Sequence, residues 1–353
     1  AGLDFLEQWA AEGARARVPA TLNPAGMDMV AWRALGFAER FAQRQQAVIA
    51  AYTALGITPT CTCTPYLIGH APKFGQHVAW AESSAVSFAN SVLGARTNRE
   101  GGPSALAAAI TGRTARYGLH LDENRKATAI VEVRCAVRSR ADLGALGYLV
   151  GRQVKNGVPL FRFQNRDRDK AGDWELNALG AAMAASGAVA LYHVEGVTPE
   201  AMSGPAVATQ AKTLIVDDLS PGYAALDSAR EEVDLVSLGC PHASLAELQS
   251  IAGYLEGRRV QVPLWITTAR ATREKAGITG LLARIEASGG RVVADTCMVV
   301  APVASLGFRT MATNSAKMAT YTPSHSGLMV HFGTMEQCLR AAVTGRWSAP
   351  DGG

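Results

Sequence analysis

Apolar positions recur along this chain at two spacings, roughly every third or fourth residue and every second, and the change from one to the other marks its elements. Over residues 3–12, Leu3, Leu6 and Trp9 fall on one helical face. RVPATLNPAGMD, residues 17–28, holds two prolines that push the residues before them to extended backbone, so it reads as a rigid loop. Residues 29–56 predict a long helix, or two in series broken near Gly36. Further helices are predicted over 83–94, stopped by Gly94, and over 104–112, with Ser104 as N-cap. A β-branched run over 127–137 predicts a strand, and residues 142–154 a helix whose Gly144, Gly147 and Gly151 point to close packing on a neighbour. FRFQNRDRDK (161–170) reads as a charged hairpin or loop, 174–186 as an Ala-rich helix and 188–194 as a strand. Thr198-Pro199 reads as a capped helix start with Pro at the first position.

From residue 213 the alternation becomes regular. Strands are predicted over 213–218, 233–241, 261–268 and 291–302, the last interrupted by a polar triplet, and helices over 221–231, 243–255 and 271–287. Such a βαβα succession predicts an α/β fold of several subdomains, with mainly parallel sheets covered by helices. Three portions are expected: a helical segment over 1–117 with the first cysteine loop, an α/β unit over 118–212 and a second α/β unit over 213–353 with the other loop cysteines. In such sheets functional groups gather at the carboxyl ends of strands.

Composition narrows the function classes. In 353 residues, 48% are apolar and 18% charged, ordinary for a soluble enzyme. The net charge of +4 is spread without a basic run and aromatics are 7%, which argues against nucleic-acid binding. An apolar stretch of about 18 residues, needed for a membrane span, is absent, and no signal peptide is expected. The chain opens at Ala1 without Met, so a leading segment is expected to have been removed or to lie elsewhere. Six cysteines without framework spacing point to a reducing compartment, with cytoplasm as the default. No GxGxxG follows a strand and no GxxxxGK[ST] occurs, so nucleotide binding is not indicated.

Residues 60–104 carry the densest chemistry: Cys61 and Cys63 open the stretch, Trp80-Ala81-Glu82-Ser83-Ser84 lies within it, and TNREGGPS closes it. Three cysteines fall in loops beside prolines or polar residues: Cys63 (or Cys61), Cys240 in Gly-Cys-Pro-His and Cys297 in Asp-Thr-Cys, the last two at strand ends. Soft thiolates select iron–sulfur clusters, zinc or copper. Three of them leave one metal position open, the condition for Lewis-acid catalysis rather than a closed structural site. A rival from another class is a structural metal or thiol-redox protein built on Cys61 and Cys63. Cys135, inside a strand, reads as structural.

The motifs CTCTPYL, WAESSAVSFANSVLGARTNREGGPSALAAAITGR, YGLHLDENR, GCPH, ADTCMVVAP and TNSAKMATYTP, with RVPATLNPAGMD before them, resemble the large subunit of the aconitase X family nearly end to end. The resemblance implies an aconitase-like fold and a hydro-lyase. It is most like the bacterial enzymes that dehydrate cis-3-hydroxy-L-proline to Δ1-pyrroline-2-carboxylate, with mevalonate 5-phosphate or another hydroxy acid as the alternative substrate. It implies iron at Cys63, Cys240 and Cys297, as a 2Fe-2S cluster, a 4Fe-4S cluster or a single iron, with Cys61, Cys135 and Cys338 outside the ligand set. It also implies a small subunit or fused domain that supplies a serine base, and a lead-in before AGLDFL, so this chain is expected to carry the metal and the binding wall rather than the whole enzyme.

Carboxylate recognition wants a guanidinium or a point charge, and Arg99 and Lys317 are the candidates. Asn98, Asn314 and Ser315 are candidates to orient substrate, and Ser83 and Ser84 either to do the same or to cap a helix, with Glu82 in support. His242 is a candidate donor to the leaving hydroxyl, or a histidine satisfied behind the metal; His193 reads as structural, and His70 and His77 carry no assignment.

Overall fold

The computed structural model describes residues 2–164, 175–204, 206–228 and 232–348. Before Ala127 the described residues form helices and loops joined only by isolated bridges: α1 (Leu3–Ala11), α2 (Glu39–Ala54), α3 (Ser83–Ser91) and α4 (Gly102–Thr111). The long helix expected over 29–56 is only its second half. The Asp28 carboxylate accepts from the backbone N–H groups of Val30 and Ala31 at 2.9 and 3.0 Å, which sets a run of turns up to Gly36 instead. Ser104 is not a cap: its hydroxyl donates to the Gly101 carbonyl, and α4 starts two residues earlier, with Gly101 at the N-cap position and Pro103 in the first turn.

Two all-parallel sheets follow. The first has the order β3-β2-β1-β4, from β1 (Ala127–Val133), β2 (Pro159–Phe163), β3 (His193–Val194) and β4 (Val207–Val216). Helices α5 (Arg140–Val154) and α6 (Leu176–Gly187) pack closely on one another, and their apolar side chains share a core with this sheet. The segment 213–216, expected to open the last unit, is the end of β4 and pairs with β1, Val131 opposite Leu214 and Val133 opposite Val216. Val216 is thereby buried in the same core as Val131 and Val133, which a strand of the second sheet would forgo. Phe161–Phe163 belongs to β2, while the rest of the charged segment (165–170) lies outside the described residues, as do 229–231 of the helix expected over 221–231, of which α7 (Ser220–Leu226) is observed.

The second sheet has the order β7-β6-β5-β8-β9. It is built from β5 (Leu235–Ala243), α8 (Leu245–Leu255), β6 (Leu264–Thr268), α9 (Arg270–Ile278), α10 (Leu281–Ala287), β7 (Arg291–Ala294), β8 (Thr310–Thr313), α11 (Ala316–Ser326), β9 (Met329–Phe332) and α12 (Met335–Thr344). The single helix expected over 271–287 breaks at Gly280, which has φ +74°. The strand order turns back between β5 and β8, so a crevice opens outside their carboxyl ends, where ligands bind in sheets of this kind. Among the described residues no helix is long and apolar enough to cross a membrane.

Candidate active site

Cys240 stands at that turning point. Gly239 before it has φ +88°, and a Cβ there would meet the Thr267 carbonyl oxygen at 2.1 Å, so only glycine brings the chain past β6 at this point. Between Leu238 and Ala243 the strand leaves register with β6, and Cys240-Pro241-His242 lies in that irregular stretch. Cys297 follows β7 in a turn, its N–H donating to the Ala25 carbonyl at 2.8 Å and its own carbonyl accepting from Val300 and Ala301. Cys63 comes from the loop before α3.

His242 ties these three loops together. Its ring Nε2 is 2.8 Å from the Thr296 carbonyl, which only accepts, so Nε2 carries the proton; Nδ1 then accepts from the Thr62 hydroxyl at 3.0 Å. Its backbone N–H points to the Cys63 sulfur at 3.2 Å. Burial lowers the pKa of the imidazole to about 4, so it is neutral. Both ring nitrogens being committed, His242 has no proton to offer a leaving hydroxyl; it positions the cysteine loops instead.

Facing the thiols is a buried charged pair. Lys317, in the first turn of α11, pairs through Nζ with Glu82 and lies 3.5 Å from the Ser84 hydroxyl. Burial alone would lower the Lys317 pKa, but the Glu82 carboxylate beside it raises it above the ordinary 10.5, so it stays charged. Burial opposes ionisation of Glu82 as well, yet Lys317 and the Ser84 hydrogen bonds hold its pKa below the ordinary carboxylate value. Glu82 also caps α3, accepting the Ser84 N–H at 3.2 Å, and the Ser84 hydroxyl donates to the same oxygen at 2.9 Å. Ser83, buried in the same first turn, does not cap. Ser315 caps α11 through the Met318 N–H, and its hydroxyl also bonds to the Cys240 sulfur. Asn314, just before it, is buried.

Burial pushes the Cys63 and Cys240 thiols up, and Cys297 to about 11, while Lys317 pulls each back. The three thiols also influence one another: Cys240 raises both Cys63 and Cys297. This donor set fits a soft metal. Thiols that burial keeps neutral release their protons on ligation, and an N–H, an O–H and an ammonium already face the sulfurs. Among the described residues no three His, Cys, Asp or Glu side chains meet as a single-ion site. Cys61 lies apart, with φ +44° and a pKa pushed up to about 12 by burial and by Asp295 rather than by the other thiols. Cys338 is buried in the second sheet's core and Cys135 is half-buried beside the first.

Two expected substrate residues are spent elsewhere. Asn98 bonds the Tyr117 carbonyl and accepts the Leu119 N–H at 2.8 Å, holding the turn at Gly118. Arg99 is exposed and donates to the Ala184 carbonyl in the last turn of α6, where a cation suits the helix dipole. Three residues outside the candidate set stand near these groups or act on them. Tyr66 stacks on Phe88 with ring centroids 3.9 Å apart, and its hydroxyl lies 3.5 Å from Asn177 Nδ2 in the first turn of α6. Arg140, the first residue of α5, acts electrostatically on both Tyr66 and Cys240. A polar residue in the first turn of an otherwise Ala-rich helix was the available signal for Asn177. An open cleft of about 850 Å³ is lined by Thr62, Pro65, Glu82, Trp80 and Tyr52, and by none of the three cysteines. His77 and His120 stack in the cleft with Nδ1 atoms 2.8 Å apart.

Residues 1–123, 127–230 and 233–344 match models of the first, second and third domains of aconitase X. The phosphomevalonate dehydratase large subunit of Methanothermobacter thermautotrophicus is 53% identical over 329 residues, 93% of this chain and 81% of that one. The cis-3-hydroxy-L-proline dehydratase of Pseudomonas aeruginosa is 40% identical over 367 residues, 98% of this chain and 61% of that one. The crystal structure of the holo form of Thermococcus kodakaraensis aconitase X superposes with a TM-score of 0.87 at 44% identity, covering 96% of this chain and 85% of that one. With three domain matches in series and an aconitase-like α/β fold shared with a solved member, this chain belongs to the aconitase X family of dehydratases.

Proposed function

We propose that this chain is the large subunit of a hydro-lyase that removes water from mevalonate 5-phosphate, with an iron–sulfur cluster held by Cys63, Cys240 and Cys297 and a small subunit supplying the base. The observation that supports the dehydratase site is His242, which ties the loops of Cys63, Cys240 and Cys297 together beside the buried Lys317–Glu82 pair at the turning point of the second sheet. Identity favours the substrate: 53% to a phosphomevalonate dehydratase subunit against 40% to a hydroxyproline dehydratase.

Both substrates are 3-hydroxy carboxylates, so the reacting part is the same: the C2–H and C3–O bonds break, a C2–C3 double bond forms, and the proton and hydroxyl leave as water. When bound, a cluster on three thiolates supplies an open Lewis-acidic iron for the departing oxygen. Lys317 supplies a permanent positive charge for the carboxylate, held in place by Glu82. Ser315 and the His242 N–H hold the Cys240 and Cys63 sulfurs. Ser84 keeps Glu82 ionised, and Asn314 lies within reach of the α11 turn that carries Lys317. Acid–base work falls to a group that meets the substrate from outside this chain, since His242 has both nitrogens committed.

The test is made on anaerobically purified protein co-expressed with a small subunit. Iron and sulfide are measured, then dehydration of mevalonate 5-phosphate and of cis-3-hydroxy-L-proline, in wild type and Cys240→Ser. Iron with turnover of the phosphate, both lost in the variant, is the expected result. Turnover of hydroxyproline instead would replace the substrate and keep the site. Protein that binds no iron even after reconstitution would sink the site.

A further inference from the structure

We infer that Arg140 and Asn177 form an oxyanion subsite beside the thiols that seats an anionic group of the substrate. The inference rests on the reading of this pocket as the dehydratase site.

Arg140 is half-buried and lacks a full set of acceptors. Its side chain is 14% exposed, its Nε stands 3.7 Å from Glu247, beyond hydrogen-bond reach, and its Nη2 is buried with no partner. Arg125, a buried arginine with a structural task, shows the contrast: it donates to Glu200, to Asn90, and to the carbonyls of Leu119 and Ala95. A buried donor left unpaired costs about 1–3 kcal/mol, so an acceptor supplied by a ligand is the economical completion of Arg140. Asn177, 3% exposed, likewise has a buried carboxamide oxygen without a partner. Its other end meets the Tyr66 hydroxyl at 3.5 Å. A half-turn of the carboxamide lets that hydroxyl donate to Oδ1 and turns two N–H donors toward a ligand.

The two residues come from adjacent helix starts. Arg140 is the first residue of α5 and Asn177 the second of α6, so the positive ends of two helix dipoles accompany them. The two helices pack closely through glycine: a Cβ on Gly147 of α5 would meet the Leu179 carbonyl of α6 at 2.6 Å. The planar fork of a guanidinium matches a carboxylate or a phosphate. Lys317 is paired with Glu82 and Arg140 with Glu247, but Arg140 keeps one nitrogen, Nη2, without a partner. A 3-hydroxy carboxylate with a phosphate tail offers two oxyanions, and Arg140 takes one of them.

The experiment uses the holoenzyme with its small subunit. Mevalonate 5-phosphate, mevalonate and inorganic phosphate are titrated calorimetrically into wild type, Arg140→Gln, Arg140→Lys and Asn177→Ala, with iron content and melting temperature recorded for each. Arg140→Gln is expected to weaken mevalonate 5-phosphate roughly tenfold or more, as loss of a charge-assisted pair does. Arg140→Lys restores part of this. If mevalonate is unaffected and phosphate binding disappears, the group held is the phosphate; if mevalonate weakens equally, it is the carboxylate. Either result supports the subsite. Should Arg140→Gln fail to fold, Asn177→Ala, which removes no charge, carries the same comparison. Wild-type affinity in folded variants overturns the inference alone, whereas a wild type that binds none of the three compounds overturns the proposed substrate with it.

Discussion

Protonating a buried imidazole requires somewhere for the second proton to point, and His193 has nowhere. It is 2% exposed, its Nε2–H donates to the Arg125 carbonyl at 2.8 Å, and its Nδ1 is buried with no partner. Burial lowers its pKa below the ordinary 6.5, only partly offset by that carbonyl and by Glu200. The unfolded chain therefore takes up the proton first, and stability must fall as pH drops below 6.5 and recover as pH rises through that value. His193→Gln keeps a donor for the Arg125 carbonyl and removes the titration. Its denaturant midpoint is expected to depend less on pH below 6.5 than that of wild type, and parallel curves would refute the account. Such burial was partly legible: a histidine at a strand end reads as structural, and the loop thiols stand out by residue type and motif. Their partners do not stand out. Thr62 and His242 are 180 positions apart, and no local pattern announces a bond closed only by the fold.

Helix glycines divide by what surrounds them. Gly253, in α8, is exposed, and a Cβ there meets nothing within 4 Å. Gly253→Ala is expected to stabilise by roughly 0.5–1 kcal/mol, since alanine gives up less backbone entropy in a helix. Gly147 has the same helical preference but a backbone carbonyl at 2.6 Å and the Ala182 Cβ at 2.8 Å. Relief requires α5 and α6 to move apart, so the packing loss, about 1–3 kcal/mol, outweighs the propensity gain and Gly147→Ala destabilises. Urea midpoints of the two variants, moving in opposite directions, check this, and a stabilised Gly147→Ala would refute it. The glycine spacing in α5 was readable as a packing face, although its partner was not. The four-residue strands β8 and β9 offer too few positions for a pattern, and the end of β4 shows that a strand can be legible while its sheet is not, because pairing depends on residues 83 positions away, as Val131 is from Leu214.

At the scale of the molecule the site belongs to no single portion. We place Cys63 and Glu82 in the helical portion, Arg140 and Asn177 in the layer over the first sheet, and Cys240, Cys297, Ser315 and Lys317 at strand ends of the second. The portions expected over 1–117, 118–212 and 213–353 are therefore proposed as parts of one folding unit, each supplying a wall. The packing argues the same way. Ala316, Ala319, Val330 and Phe332, from α11 and β9 of the second sheet's portion, are buried in one cluster with Val131, Leu146 and Leu179 of the first. Phe332 is 2% exposed there, and its ring approaches α5 closely enough that a Cβ on Gly144 would meet it at 3.4 Å. Phe332→Ala is expected to cost about 3–5 kcal/mol, the range for emptying a buried phenylalanine site. Because the cavity opens between the two sheets, both should loosen together. Fluorescence of Trp265 in β6, read in a background in which the other five tryptophans are replaced by phenylalanine, and far-ultraviolet circular dichroism, reporting all helices, should fall in one coincident transition in that background and shift together when Phe332→Ala is added. A variant in which fluorescence keeps the background's midpoint while the helical signal melts early would show that the second sheet folds independently, and would leave the positions of Arg140 and Lys317 coupled only through bound substrate.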